Sequence, residues 1–195
     1  MPKRIAIIQG HPDPRGNHYG HALADAYTKA AEESGHEVRR IDVASLDFPI
    51  LRSKEDFDTG TPNDATRQAQ DAIRWAGHLV IFYPLWLGEM PALLKAFMEQ
   101  VFRPGFAFGE AESGKMMKKL LTGKSARIVV TMGMPAFFYR WYFRAHGLKN
   151  LQRNILGFSG IGPIKTSLIG MVEAGENTKR QQWIERMQAF GRAGK

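Results

Sequence analysis

Residues 4–27 read RIAIIQGHPDPRGNHYGHALADAY. The first six form the short, continuous apolar run of a strand buried on both faces, and Leu23, Ala26, Tyr27 and Ala30 then recur at helical spacing. A strand that passes directly into a helix is the first half of a β-α-β unit. The junction between them holds a histidine and two prolines, where the dinucleotide fingerprint would place a run of glycines.

Working outward from this stretch, the same alternation continues. HEVRRIDV (36–43), HLVIFYP (78–84), SARIVVTM (125–132) and the weaker PIKTSLIG (163–170) read as further strands, and helices are expected at 18–34, 65–76, 91–101, 137–157 with a break, and 177–190. In the last of these, Trp183, Ile184, Met187 and Phe190 make an apolar side that asks for packing against a sheet. Strands alternating with crossover helices predict an α/β, doubly wound sandwich around a five-stranded parallel sheet, as one domain over residues 1–195. The longest connection, ASLDFPILRSKEDFDTGTPND (44–64), reads as a surface excursion.

Composition narrows the chemistry. The 195 residues include no cysteine, which excludes a disulfide framework, a thiolate nucleophile and a cysteine metal site. The apolar run near Met1 is too short for a signal peptide or a spanning helix, so a cytoplasmic protein without membrane insertion is expected. The net charge of +8 suits anionic partners, but the basic residues are scattered and carry no zinc-finger spacing or RNA-binding signature. Nucleic acid is therefore not an expected partner. A hydrolase is disfavoured too, because no Gly-x-Ser-x-Gly elbow is present and Ser159 in GFSGIG is poorly placed for one.

Parallel sheets bind ligands beyond the carboxyl ends of their strands, where three irregular segments fall: GHPDPRGNHYG (10–20), PLWLGEMP (84–91) and MGMPAFFY (132–139). In the first, Asn17 is a candidate N-cap, and the amides of the helix start with His11, His18 and Arg15 would suit a phosphate; the alternative is a rigid, self-capped connection in which His11 satisfies local backbone groups. His18 and His21 stand three apart, but no carboxylate joins them in a metal signature, and no metal is expected. In the second, backbone groups of Leu85 to Leu87 could meet the edge of a planar heterocycle beside Trp86; the alternative is that these aromatics plug the end of the sheet. In the third, Thr131 and Gly133 stand at the strand end and Met132, Met134 and Phe138 read as lining. Tyr139 and His146 follow as candidate donors, with packing and helix capping as their alternatives.

Together, IIQGHPDPRGNHYGHALADAY, VIFYPLWLGEMPALLKAFMEQVFRPGFAFG and VTMGMPAFFY resemble the NAD(P)H:quinone oxidoreductases of the flavodoxin-like flavoproteins, including the potassium-efflux ancillary oxidoreductases. The resemblance implies that His11, Asn17 and His18 face the flavin phosphate, that Pro84, Leu85, Trp86 and Leu87 flank the isoalloxazine, and that Thr131, Met132 and Gly133 reach it from the next loop. Tyr139 and His146 match the family's catalytic tyrosine and histidine, with Tyr142 as a competing assignment. The chain departs from the family pattern in VTMGM, where methionine replaces a glycine, and at Gly20, where asparagine is common. The implied activity is hydride transfer from NAD(P)H through bound flavin to a quinone-like acceptor by a ping-pong mechanism. The alternative is a flavin-binding regulatory subunit of a membrane-transporter partner such as a cation-efflux system. FMN is expected first, since no extra segment is evident to enclose an adenosine half, and FAD is the alternative. A homodimer is implied, with FFYRWYF (137–143) at the interface or the pocket.

Overall fold

The computed structural model describes residues 1–109, 117–174 and 177–195. β1 (Arg4–Gln9) leads into α1 (Tyr19–Glu33), followed by β2 (Glu37–Asp42), a short α2 (Lys54–Asp58), α3 (Asp64–Trp75), β3 (His78–Pro84) and α4 (Ala92–Val101). Two two-residue strands, β4 (Phe108–Gly109) and β5 (Lys118–Lys119), precede β6 (Ser125–Thr131), α5 (Ala136–Trp141), α6 (His146–Asn150), β7 (Ile164–Ile169) and α7 (Asn177–Ala193). The five long strands form one parallel sheet in the order β2-β1-β3-β6-β7. The order reverses at β1, and the loops after β1 and β3 open side by side at that reversal.

Side-chain alternation along each strand divides the core in two. Ile5 and Ile7 of β1, Val80 and Phe82 of β3 and Val129 of β6 pack with Leu23, Tyr27 and Met187 on the α1 and α7 side. Ala6, Ile8, Leu79, Ile81, Ile128 and Val130 pack with Ile73, Leu94, Phe97 and Leu148 on the other. Each fully buried Ile, Leu or Phe contributes about 1.5–3 kcal/mol relative to an exposed one. Arg127 enters this core as a charged side chain: it lies over the Phe190 ring and donates to the Ser167 hydroxyl and the Lys195 carbonyl, so its buried guanidinium is satisfied.

The five expected strands are present, each within a residue or two of its expected ends. The 137–157 helix breaks where Arg144 and Ala145 both take left-handed backbone (φ 52 and 49), and Leu151–Gly157 continues as a wider π-type turn. α2 and the β4–β5 pair lack apolar periodicity in sequence. Ser53 caps α2 by accepting from the Asp56 N–H, which is local polar chemistry that periodicity does not register.

Candidate functional site

The loop after β1 is held by side chains. Buried Gln9, the last residue of β1, accepts the His11 N–H through Oε1 at 3.1 Å and donates through Nε2 to the Gly20 carbonyl, also at 3.1 Å. The Asp13 N–H then donates to His11 Nδ1 at 3.1 Å, which leaves the ring proton of neutral His11 on Nε2. His18, not Asn17, is the N-cap of α1, because the first helical turn closes on the His18 carbonyl; Asn17 is exposed. No side chain caps this helix and its first turn holds no acidic residue. Its orphan amides thus face the loop with partial positive charge.

Three imidazoles gather at that helix start. His11 and His18 stack with ring centroids 4.0 Å apart, and His21 lies 5.1 Å from His11 and 5.8 Å from His18. Asp13 Oδ2 meets His18 Nε2 at 2.9 Å and Asp13 Oδ1 meets Arg15 Nε at 3.0 Å. Hydrogen bonds from Arg15 and then His18 hold the Asp13 carboxyl far below the usual carboxylate range. Burial, followed by His18 and His21, pushes His11 down to about 4, and burial lowers His21 in the same direction. Among the described residues, no group of three or more His, Cys, Asp or Glu side chains is arranged to hold a metal ion.

The loop after β3 is held by backbone. Trp86 and Glu89 exchange N–H···O=C bonds of 2.9 and 3.0 Å around Leu87 and Gly88, whose φ of 50 and 83 make a type I′ turn. A leucine in left-handed backbone is strained by about 1 kcal/mol or more, and here it is held with its side chain fully exposed. The Leu85 N–H donates to the Thr131 carbonyl at 2.8 Å, joining this loop to the one after β6. Half-exposed Trp86 meets His11 edge-on at 6.2 Å, joining it to the loop after β1. From below, Gly147 packs so closely that a Cβ there would lie 2.5 Å from the Gly88 carbonyl oxygen.

The expected site residues therefore separate into groups. His11, His18, Leu85, Trp86 and Thr131 come together, Pro84 pairs with Thr131 in the sheet register, and exposed Leu87 and Gly133 border them. Thr131 Oγ1 is 4.0 Å from where a Cβ on Gly20 would lie, so the small residue at 20 keeps that approach open. Met132 is buried in the core, and its backbone is bonded across to the end of β7 and just beyond it, its N–H to the Ile169 carbonyl and its carbonyl to the Val172 N–H. Tyr139 differs from expectation. It is 1% exposed, its hydroxyl donates to the Gly88 carbonyl at 3.3 Å and accepts the Leu148 N–H at 3.2 Å, so the ring braces the turn from inside the core. Tyr142 is exposed and stacked on Phe138, and His146 is exposed at the start of α6, next to the Gly147 contact with the turn.

Sequence reasoning passed over Gln9, Glu89, Gly147 and the full part of His21. A glutamine closing an otherwise apolar strand was a usable signal for Gln9; the close approach of Gly147 had none. In RPGFAFGE (103–110), Phe106 and Ala107 are core, Phe108 borders a recess of about 340 Å³ with Phe57 and Phe158, and Glu110 lies outside the described residues.

Comparison with known proteins bears on the family and the fold. A family described as having a flavodoxin-like fold matches residues 3–190. A ribosyldihydronicotinamide dehydrogenase-like protein of Penicillium crustosum is 27% identical over 178 residues, covering 78% of this chain and 64% of that protein, less than two thirds of its length. An uncharacterized NAD(P)H oxidoreductase of Haemophilus influenzae is 27% identical over 183 residues, covering 92% of this chain and 89% of that protein. An FMN-dependent NADH:quinone oxidoreductase of Mycoplasma genitalium is 26% identical over 171 residues, covering 86% and 84%. Among solved structures, an NAD(P)H:quinone oxidoreductase from Methanothermobacter marburgensis aligns over 100% of both chains with a TM-score of 0.82 at 20% identity, a likeness of fold.

Proposed function

This chain belongs to the flavodoxin-like fold family, and we propose that it is an FMN-dependent NAD(P)H:quinone oxidoreductase acting as a single domain in the cytoplasm. The observation that carries the reading is the meeting of three loops at the carboxyl ends of β1, β3 and β6 around an uncapped helix start. The residues present fit the group. The orphan amides of α1 and the His11 Nε2–H are donors for a phosphate, while Trp86 and Leu87 present exposed apolar surface to a planar ring.

Bound FMN would supply the redox chemistry, two-electron transfer between NAD(P)H and a quinone. The chain supplies placement. His11, Asn17 and His18 hold the phosphate end, and Pro84, Leu85, Trp86 and Leu87 border the ring from one side. Thr131, Met132 and Gly133 border it from the other, through backbone groups and the Thr131 hydroxyl. His146 is the candidate catalytic donor. Tyr139 enters as a positioning residue, acting on the ring's neighbours through Gly88. Donor and acceptor use one pocket in turn, which requires ping-pong kinetics, and the net charge of +8 favours both the cofactor and the nucleotide donor.

The exposed run Phe137, Phe138, Trp141, Tyr142 and Phe143 is the proposed contact surface of a homodimer. The same surface supports a second reading, a flavin-binding regulatory subunit of a membrane transporter. Among the described residues no helix is long and apolar enough to cross a membrane.

The test is an anaerobic visible spectrum of the FMN-reconstituted protein. Bleaching by NAD(P)H and recovery on quinone addition are expected, with parallel initial-rate lines. Intersecting lines would refute the shared pocket, bound flavin without turnover would favour the regulatory reading, and absence of flavin binding would remove the assignment.

A further inference from the structure

His21 lies in the first turn of α1, 6% exposed, and its Nδ1 is buried with no hydrogen-bond partner. Buried polar nitrogens are almost always paired, and an exception calls for an explanation; here it coincides with the uncapped start of α1 and the two other imidazoles gathered there. The fixed charges nearby already answer one another. Arg15 pairs with Asp13 in the loop, and Arg40 of β2 pairs with Asp25 of α1 and with Asp42. Those groups with His11 and His18 are the titratable neighbours of His21.

Burial keeps His11 and His21 below the ordinary imidazole value, so both rings are neutral at pH 7. A phosphomonoester above pH 7 carries nearly two negative charges, whereas a helix start offers roughly half a positive one. The shortfall falls on the imidazoles, whose charged form a nearby anion favours. We propose that His21 completes the anion site at the start of α1, and that a doubly charged phosphomonoester binds there with uptake of a proton by the His11, His18 and His21 cluster. This rests on the flavin reading and adds to it a residue and a basis for choosing FMN over FAD. Each phosphate of the FAD diphosphate carries a single charge and draws less protonation.

Imidazole ring resonances of the full-length wild-type protein, followed by NMR from acidic to alkaline pH with and without ligand, test the idea directly. Bound FMN, or inorganic phosphate as a second probe, is expected to raise the His21 titration midpoint by about one pH unit or more, and riboflavin to leave it in place. By fluorescence quenching, the FMN Kd is expected to rise by up to about tenfold per pH unit on the alkaline side of neutrality, a slope that His21→Asn flattens. Ring titrations unmoved by bound FMN, or moved equally by bound riboflavin, would overturn the proposal. If His21→Asn does not fold, the wild-type titration decides alone. If neither flavin binds while inorganic phosphate still raises the His21 midpoint, the flavin reading fails and the anion clamp stands; phosphate without effect overturns the clamp itself.

Discussion

In the loop after β1 the amides of His11 and Asp13 are bonded to side chains, those of Gln9 and His11, whereas in the loop after β3 the amides of Trp86 and Glu89 are bonded to each other's carbonyls. The two meet where Trp86 stands edge-on to His11. One wall of the site is thus built from groups that titrate and can be removed singly by mutation. The other is a backbone turn whose supports, Tyr139 and Gly147, act from within the core. Preorganisation by side chains leaves the first wall responsive to ligand and pH; preorganisation by backbone makes the second insensitive to both.

The difference can be broken most severely at the backbone wall. Gly147→Val drives a branched side chain into the Gly88 carbonyl and Glu89, and is expected to cost about 3 kcal/mol with loss of flavin binding, read by denaturant unfolding and by fluorescence titration. At the side-chain wall, Gln9→Leu leaves the His11 N–H and the Gly20 carbonyl without their partner; a loss of about 2 kcal/mol is expected, with FMN affinity falling more than riboflavin affinity. Tyr139→Phe removes only the hydroxyl brace, for about 1 kcal/mol and a modest weakening of flavin binding, with the pH dependence of turnover unchanged. A shifted pH profile would instead place the hydroxyl in the chemistry.

The comparison is sharpened last by a pH dependence to which the side-chain wall contributes and the backbone wall does not. His11 is held at about 4 in the folded chain against an ordinary value of 6.5, so below 6.5 the unfolded chain binds a proton that the folded chain does not. Stability from this group is full above pH 6.5 and declines as pH falls toward 4. His78, at the opposite end of the sheet and also lowered to about 4, contributes with the same sign. Thermal midpoints of the ligand-free protein should fall over that interval, and His11→Asn and His78→Asn should each flatten part of the fall. Only the first should alter FMN affinity.

Much of the architecture could be read from the chain because each cue was local. RIAIIQ and HLVIFYP are continuous apolar runs, and a strand buried on both faces needs nothing more to declare itself. Loop positions followed, since they are what remains between periodic segments. A break within 137–157 was anticipated, but neither its place at Arg144 and Ala145 nor its left-handed backbone was, because neither residue type favours that conformation. The part played by Tyr139 was left open for a related reason. Helical spacing places a ring on a face, and which neighbour takes its hydroxyl depends on where α6 and the 86–89 turn come to rest.

Sequence alone determined the parallel sheet, the three loops at its carboxyl edge and the basic, cysteine-free character of the chain, since hydrophobic period and composition act over a few residues. Tertiary structure decided that His21 joins His11 and His18, that Gln9 ties the loop to the helix, and that Gly147 and Tyr139 support the turn. Those relations link residues distant along the chain, or at a spacing that leaves their rings' directions open. Only packing fixes the few ångströms that turn a histidine three residues from another into a member of one imidazole cluster.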